Sequence, residues 1–174
     1  ANSYVIDVAS GSKLRQPGAI IAVKDVLKTD TFSASVSAGG NVAVTDLSIT
    51  HEVENPSNKL IISAFFGAAA HTDDRSPVAI AIHDGSSLIG VGDSAGSRTP
   101  VSAGGFVANP GLDLTTTMPS ISFVHTPGTG SKTYTVRAIA LVTGTVYINR
   151  SLSDTDAASR PRAVSSLVIQ EVAV

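Results

Sequence analysis

Gly92-Asp93-Ser94-Ala95-Gly96 matches the G-x-S-x-G nucleophile pattern. That chemistry needs Ser94 on a sharp strand-to-helix turn, with its hydroxyl aimed at a His. Here Ser97, Arg98, Thr99 and Pro100 follow, and no helix is expected. In a chain with 15 Gly, 23 Ser, 4 His and 11 Asp, such a match arises readily from composition. The expected reading is a Gly/Ser loop, with a serine hydrolase using Ser94 as the distant alternative. Gly90, Gly92 and Gly96 miss the dinucleotide spacing by one residue, and no βαβ unit surrounds them. Gly130-Ser131-Lys132-Thr133 resembles the end of a phosphate loop but lacks the Gly-Lys pair and leads into a strand.

Three acidic groups could hold a cation. His51, Glu52 and Glu54 lie near a strand end, where Glu52 and Glu54 share a face; a solvated strand end is the expected reading. His71, Asp73, Asp74 and Arg75 form a polar loop without EF-hand spacing. Asp154 and Asp156 form another. No cofactor and no metal are expected. His83 and His125 read as structural residues at strand ends. Asn149-Arg150-Ser151 is a formal glycosylation sequon. Arg150 closes a strand and precedes two carboxylates, so ion pairs of Arg150 with Asp154 and Asp156 are expected to pin the loop. Glu171 shares a strand face with Leu167, Ile169 and Ala173. A carboxylate on an apolar face needs a cation, and Arg137 or Arg150 is expected to supply it.

The elements that must position these residues are strands. Val, Ile and Thr number 49, whereas Glu numbers 3. Helix formers are scarce, and β-branched and turn residues abound. That excludes a helical bundle, a coiled coil and a doubly wound enzyme. Strands are expected at 19–27, 31–36, 41–54, 59–70, 78–83, 87–91, 120–125, 132–143, 146–149 and 166–174. The slip in alternation across Val42, Val44, Leu47 and Ile49 predicts a bulge. Asp84-Gly85 signals a hairpin, and Gly144-Thr145 a tight connection. Gly92 to Asn109 reads as loop. Without repeats, nine or ten short strands predict an all-β antiparallel sandwich, jelly-roll-like, at 19–174. Residues 1–18 read as a short extended N-terminal arm.

The 174 residues include 12 basic and 14 acidic side chains, for a net charge of −2 and a charged fraction of 15%. The basic residues are scattered, so no nucleic-acid partner is expected. Apolar stretches fall far short of the ~20 residues of a membrane helix, so no membrane insertion is expected. Without Cys, thiol catalysis and disulfides are excluded. No charged start followed by an apolar stretch is present, and Ala1 is a residue from which an initiator Met is readily removed. The expectation is a complete, unexported polypeptide.

Several segments together resemble a known family. They are Thr29-Asp30-Thr31-Phe32-Ser33, Leu47-Ser48-Ile49, Pro56 to Ile62, Thr133-Tyr134, Val146 to Ser151, and Ser165 to Val172. Their order and spacing resemble bacteriophage virion surface proteins of the tail-fibre C-terminal-domain type, common in marine and cyanobacterial phages. The resemblance covers Ala19 to Val174. It departs at His125-Thr126-Pro127, where relatives tend to carry Asp. It implies a trimeric β-sandwich knob on the virion surface, without enzymatic activity. About 18 residues before the domain reach at most ~65 Å, an anchor without a shaft. This favours a capsid decoration or cement protein that binds the major capsid protein. The rival is a tail-fibre tip docked on a separate shaft protein, with a host surface receptor as partner.

Two surfaces are expected to serve assembly. Tyr4, Ile6, Val8 and Leu14 make the arm a virion anchor. The second apolar faces of the late strands, through Ile139, Leu141, Val168, Val172 and Val174, are expected to form the oligomer interface, because a sandwich covers only one face of each sheet. The pattern implies an oligomer; the number three comes from the resemblance.

Overall fold

The computed structural model describes residues 16–104 and 116–174. These form twelve strands and no helix: β1 (Ile20–Lys28), β2 (Phe32–Val36), β3 (Asn41–Val53), β4 (Lys59–Phe66), β5 (Ala69–His71), β6 (Val78–His83), β7 (Leu88–Ile89), β8 (Ala103–Gly104), β9 (Ser120–His125), β10 (Gly130–Ala140), β11 (Gly144–Ile148) and β12 (Ser165–Val172). The first sheet runs β1-β12-β4-β9, and the second runs β3-β10-β6-β7 with β8 also beside β6. All pairings are antiparallel. The chain crosses between these sheets from β1 to β3, β3 to β4, β4 to β6, β8 to β9, β9 to β10 and β10 to β12. That winding is a jelly-roll β-sandwich. A third small sheet, β2-β11-β5, repeats the β3-β10-β6 order with the strands that flank those three in the chain.

Period-two alternation explains the core. Leu60, Ile62, Ala64 and Phe66 of β4 face inward, as do Leu167 and Ile169 of β12. Tyr134, Val136, Ala138 and Ala140 of β10 meet them from the second sheet. Each large apolar side chain buried here contributes roughly 1.5–3 kcal/mol relative to exposure. The expected bulge lies in β3. Thr135 pairs with Ser48 but Arg137 pairs with Ala43, so the Val44–Leu47 segment opposes Val136 alone. Asp46 takes a φ of 61° there, and Val44 and Leu47 both stay buried.

Three expectations need correction. The run 59–70 is two strands in different sheets, because the chain switches sheets at Gly67. A Cβ on Gly67 would strike the Val164 carbonyl, so this close approach requires glycine. Residues 144 and 145 do not join β10 to β11. The turn is 141–143, and Gly144 begins β11 against Thr72 and His71. Third, β6 is buried on both faces. Its Ala79 and Ala81 pack with Ile139 of β10, under Leu88, Val91 and Val101. Ile139 is 1% exposed within its own chain and is not available as an oligomer contact.

Asn149, directly after β11, ties the third sheet to the first. Its amide donates to the carbonyls of Lys28 and Asp30, each at 2.9 Å, and its Oδ1 accepts from Ser165 Oγ at 2.6 Å. Its backbone sits at φ 64°, in the left-handed region that Asn tolerates. The sequon asparagine is therefore wholly internal. Asn149→Gly keeps the backbone but loses these bonds, with an expected loss of about 2–4 kcal/mol. Asn149→Ala adds roughly 1–2 kcal/mol of left-handed strain. Urea denaturation should rank wild type above Gly above Ala; Ala at or above Gly contradicts this account.

Candidate functional site

Ser94 lies exposed in the long loop after β7. The loop turns back at once, with Arg98 N–H donating to the Ala95 carbonyl at 3.2 Å and Gly96 at φ 63°. That is a tight turn, not the strand-to-helix elbow that the nucleophile pattern requires. Lys132 of the phosphate-loop-like run sits in β10 and pairs with Asp84 at 3.1 Å.

The polar chemistry gathers at one end of the sandwich. His51 pairs with Lys132 across β3 and β10, while Glu171, Leu60 and His125 make one row across β12, β4 and β9. Alternation turns His51 inward and leaves Glu52 exposed. Glu171 is 1% exposed, and its carboxylate accepts from three donors. These are His51 Nε2 at 2.8 Å, Asn58 Nδ2 at 2.6 Å and the Glu54 N–H at 3.2 Å. Asn58 Oδ1 in turn accepts from Val174 N–H at 3.3 Å. The expected partners of Glu171, Arg137 and Arg150, are both elsewhere. Arg137 lies on the opposite face of β10 from the core, and Arg150 is in the loop after β11. Among the described residues no group of three His, Asp or Glu could hold a metal. Glu171→Ala would leave the buried donors of His51 and Asn58 without this acceptor, an expected loss of about 3–5 kcal/mol. Glu171→Gln, which retains one acceptor oxygen, should lose clearly less; equal losses in urea denaturation would refute the carboxylate's role.

A second cluster adjoins the first. Asp84 Oδ1 accepts from the N–H groups of Ser86 and Ser87, both at 2.9 Å, which shapes the turn into β7. His125 and Tyr134 meet edge to face, with ring centroids 6.0 Å apart. Burial, reinforced by the Asp84 charge, pushes the Tyr134 phenol up to about 12. Burial lowers His125, as does the Lys132 charge, against an opposing pull from Asp84. Burial raises Asp84 as well, but the two backbone donors and Lys132 outweigh it and hold the carboxyl below its usual range. The folded state thus binds this proton more weakly than the unfolded chain does, whose value is about 3.9. The resulting stability is complete above about pH 5 and is lost as pH falls through the folded value. Wild type and Asp84→Asn are therefore expected to converge in stability between about pH 5 and pH 2; a gap that stays constant contradicts this.

The remaining charged residues stitch loops. Arg150 stacks 4.5 Å from the Tyr147 ring centroid and donates to the Ser151 and Leu152 carbonyls at 3.0 and 2.7 Å. The expected Arg150–Asp154 pair is present at 3.5 Å, and Arg162 shares Asp154 at 2.6 Å. Asp156 is exposed on the same loop. In the acidic loop, His71 Nδ1 accepts from Asp73 N–H at 3.0 Å, closing a turn. Lys28, which sequence reasoning missed, is 1% exposed and bonds to Asp30 at 2.8 Å. Its burial carries no local signal, since it ends an edge strand most of whose residues are exposed.

Among the described residues nothing covers the outer face of the first sheet. Register places Val23, Gln170, Ile61 and Val124 in one row. Asp25, Val168, Ser63 and Ser122 make the next, and Leu27, Ser166, Phe65 and Ser120 the third. Val23, Leu27, Phe65 and Val124 are 57%, 57%, 38% and 61% exposed. Of the expected interface residues, Val168 and Val172 lie on this face. Val174 follows β12 and Leu141 lies in the turn after β10, at 60% and 39% exposure. Tyr4, Ile6, Val8 and Leu14 lie outside the described residues. In comparison with known proteins, the chain matches no family model and no curated protein sequence.

Proposed function

We propose that this chain is a non-enzymatic structural protein of a bacteriophage particle, a capsid decoration protein that covers and braces the outer shell. The observation that carries the reading is the outer face of the first sheet. It is a rigid, mostly apolar and hydroxyl-bearing surface of a kind that soluble monomers seldom expose. The inward polar residues supply hydrogen bonds that tie strands and turns together, which suits a rigid module. Jelly-roll winding occurs in many roles, viral shells among them. The segment resemblance to phage surface proteins supplies the direction.

Quantitative gel densitometry of purified particles tests this reading. On the order of hundreds of copies per particle is the expected result. A few tens or fewer would transfer the chain to a tail-fibre tip. Complete absence from particles would overturn the virion role.

A further inference from the structure

The outer face of the first sheet carries two ionised side chains among its described residues, Asp25 on β1 and Lys59 on β4. Neither has an ion-pair partner among the described residues. Lys59 lies two strands over from Asp25 and two outward positions along, because Asp25 pairs with Val168, Val168 with Ser63, and Val172 with Lys59. Strand and residue spacing put them about 17 Å apart, too far to pair within one chain. Gln170 of β12 lies midway between them.

We infer that this face is a self-association surface, on which a second copy of the chain docks about a two-fold axis passing through Gln170. The two-fold axis that lies in the plane of the face, perpendicular to the line from Asp25 to Lys59, exchanges their positions. Each carboxylate then meets the other copy's ammonium, so both pairs form at once. The same rotation brings Val168 of one copy over Ile61 of the other, and Val23 over Val172. Apolar positions therefore meet apolar positions while the charges pair at the flanks. The hydroxyls of Ser63 and Ser122 bond each other at 2.9 Å, so covering them leaves one hydroxyl proton rather than two without a partner.

The size of the face sets the strength. Four strands at ~4.8 Å spacing, and the length of β12 at ~3.3 Å per residue, give roughly 500 Å² per copy in flat projection. Two copies together reach about 1,000 Å², the low end of specific interfaces. Association should be weak and concentration-dependent, with light scattering and sedimentation revealing it at roughly 10–200 µM.

The inference takes the oligomer implied by the apolar pattern as two-fold, in place of the three-fold one the resemblance implies, and it does not rest on the virion reading above. Its test is separate, because a chain absent from particles can still pair in solution. The wild-type mass is expected to rise toward twice that of one chain. Val168→Asp should hold the chain at the single-copy mass, with circular dichroism unchanged. Asp25→Lys and Lys59→Asp, each of which sets like charges face to face, should weaken pairing roughly tenfold or more. Asp25→Lys combined with Lys59→Asp should restore it. A single-copy mass across the whole range overturns the inference, and so does a three-copy mass. Pairing that survives Val168→Asp, or a charge swap that does not restore pairing, overturns it too.

Discussion

The inward face of β12 is polar at both ends and apolar between them, and the rest of the sandwich is hung on that pattern. Ser165 and Glu171 are 0% and 1% exposed, with Leu167 and Ile169 between them. Ser165 bonds Asn149, which reaches the turn after β1. Glu171 bonds His51 and Asn58, which reach the ends of β3 and the turn before β4. A central strand is thus pinned at two points some twenty ångströms apart by strand spacing. A one-residue slip of β12 would carry Val168 and Gln170 inward and orphan both polar anchors at once. Register is therefore fixed by hydrogen bonds at the ends as well as by apolar burial in the middle.

The same logic explains why the polar residues gather where strands end. A jelly roll changes sheet at every crossing, and each crossing frees backbone groups that no ladder satisfies. Asp84 accepts from the N–H groups of the hairpin turn between β6 and β7, and Asn149, where the chain leaves the third sheet for β12, donates to carbonyls at and after the end of β1. His51 and Lys132, neighbours across β3 and β10, face the interior at one end, where Glu171 and Asp84 meet them. Burying a polar or charged side chain is costly, and a fixed hydrogen-bonding partner in each case offsets that penalty. The product is a domain whose corners are as well determined as its core.

Much of this architecture was legible in the chain. Alternation located β2 and β3, and its slip near Val44 located the bulge. The Asp84-Gly85 pair marked the turn between β6 and β7, where Gly85 takes φ 95°. What alternation cannot report is which distant residue stands opposite. His51 and Glu171 lie 120 positions apart, so a search among nearby cations pointed to Arg137 and Arg150 instead. Arg150–Asp154 was legible because that pair is local. Ile139 misled for a related reason: its outward direction was right, but the cover came from residues 88–101, a loop whose Gly- and Ser-rich composition gave no sign that it folds back over β10. The switch at Gly67 was hidden because the residues on either side are equally apolar.

The two sheets consequently meet solvent on unequal terms. On the second sheet, loop residues close over Ala79, Ala81 and Ile139, and the uncovered part presents hydroxyls such as Thr50 and Thr133, bonded to each other at 2.8 Å. The first sheet has no comparable cover among the described residues. Its outer rows mix valine, isoleucine, leucine and phenylalanine with serines, of which Ser63 and Ser122 bond each other. A serine pair of this kind gives up little hydration when it is covered, whereas a lysine or glutamate in the same place would resist covering. The outer composition of β4, β9 and β12 therefore lowers the penalty for excluding water from the face while leaving it wettable enough for a free chain. This combination suits a surface that is exposed before assembly and covered after it.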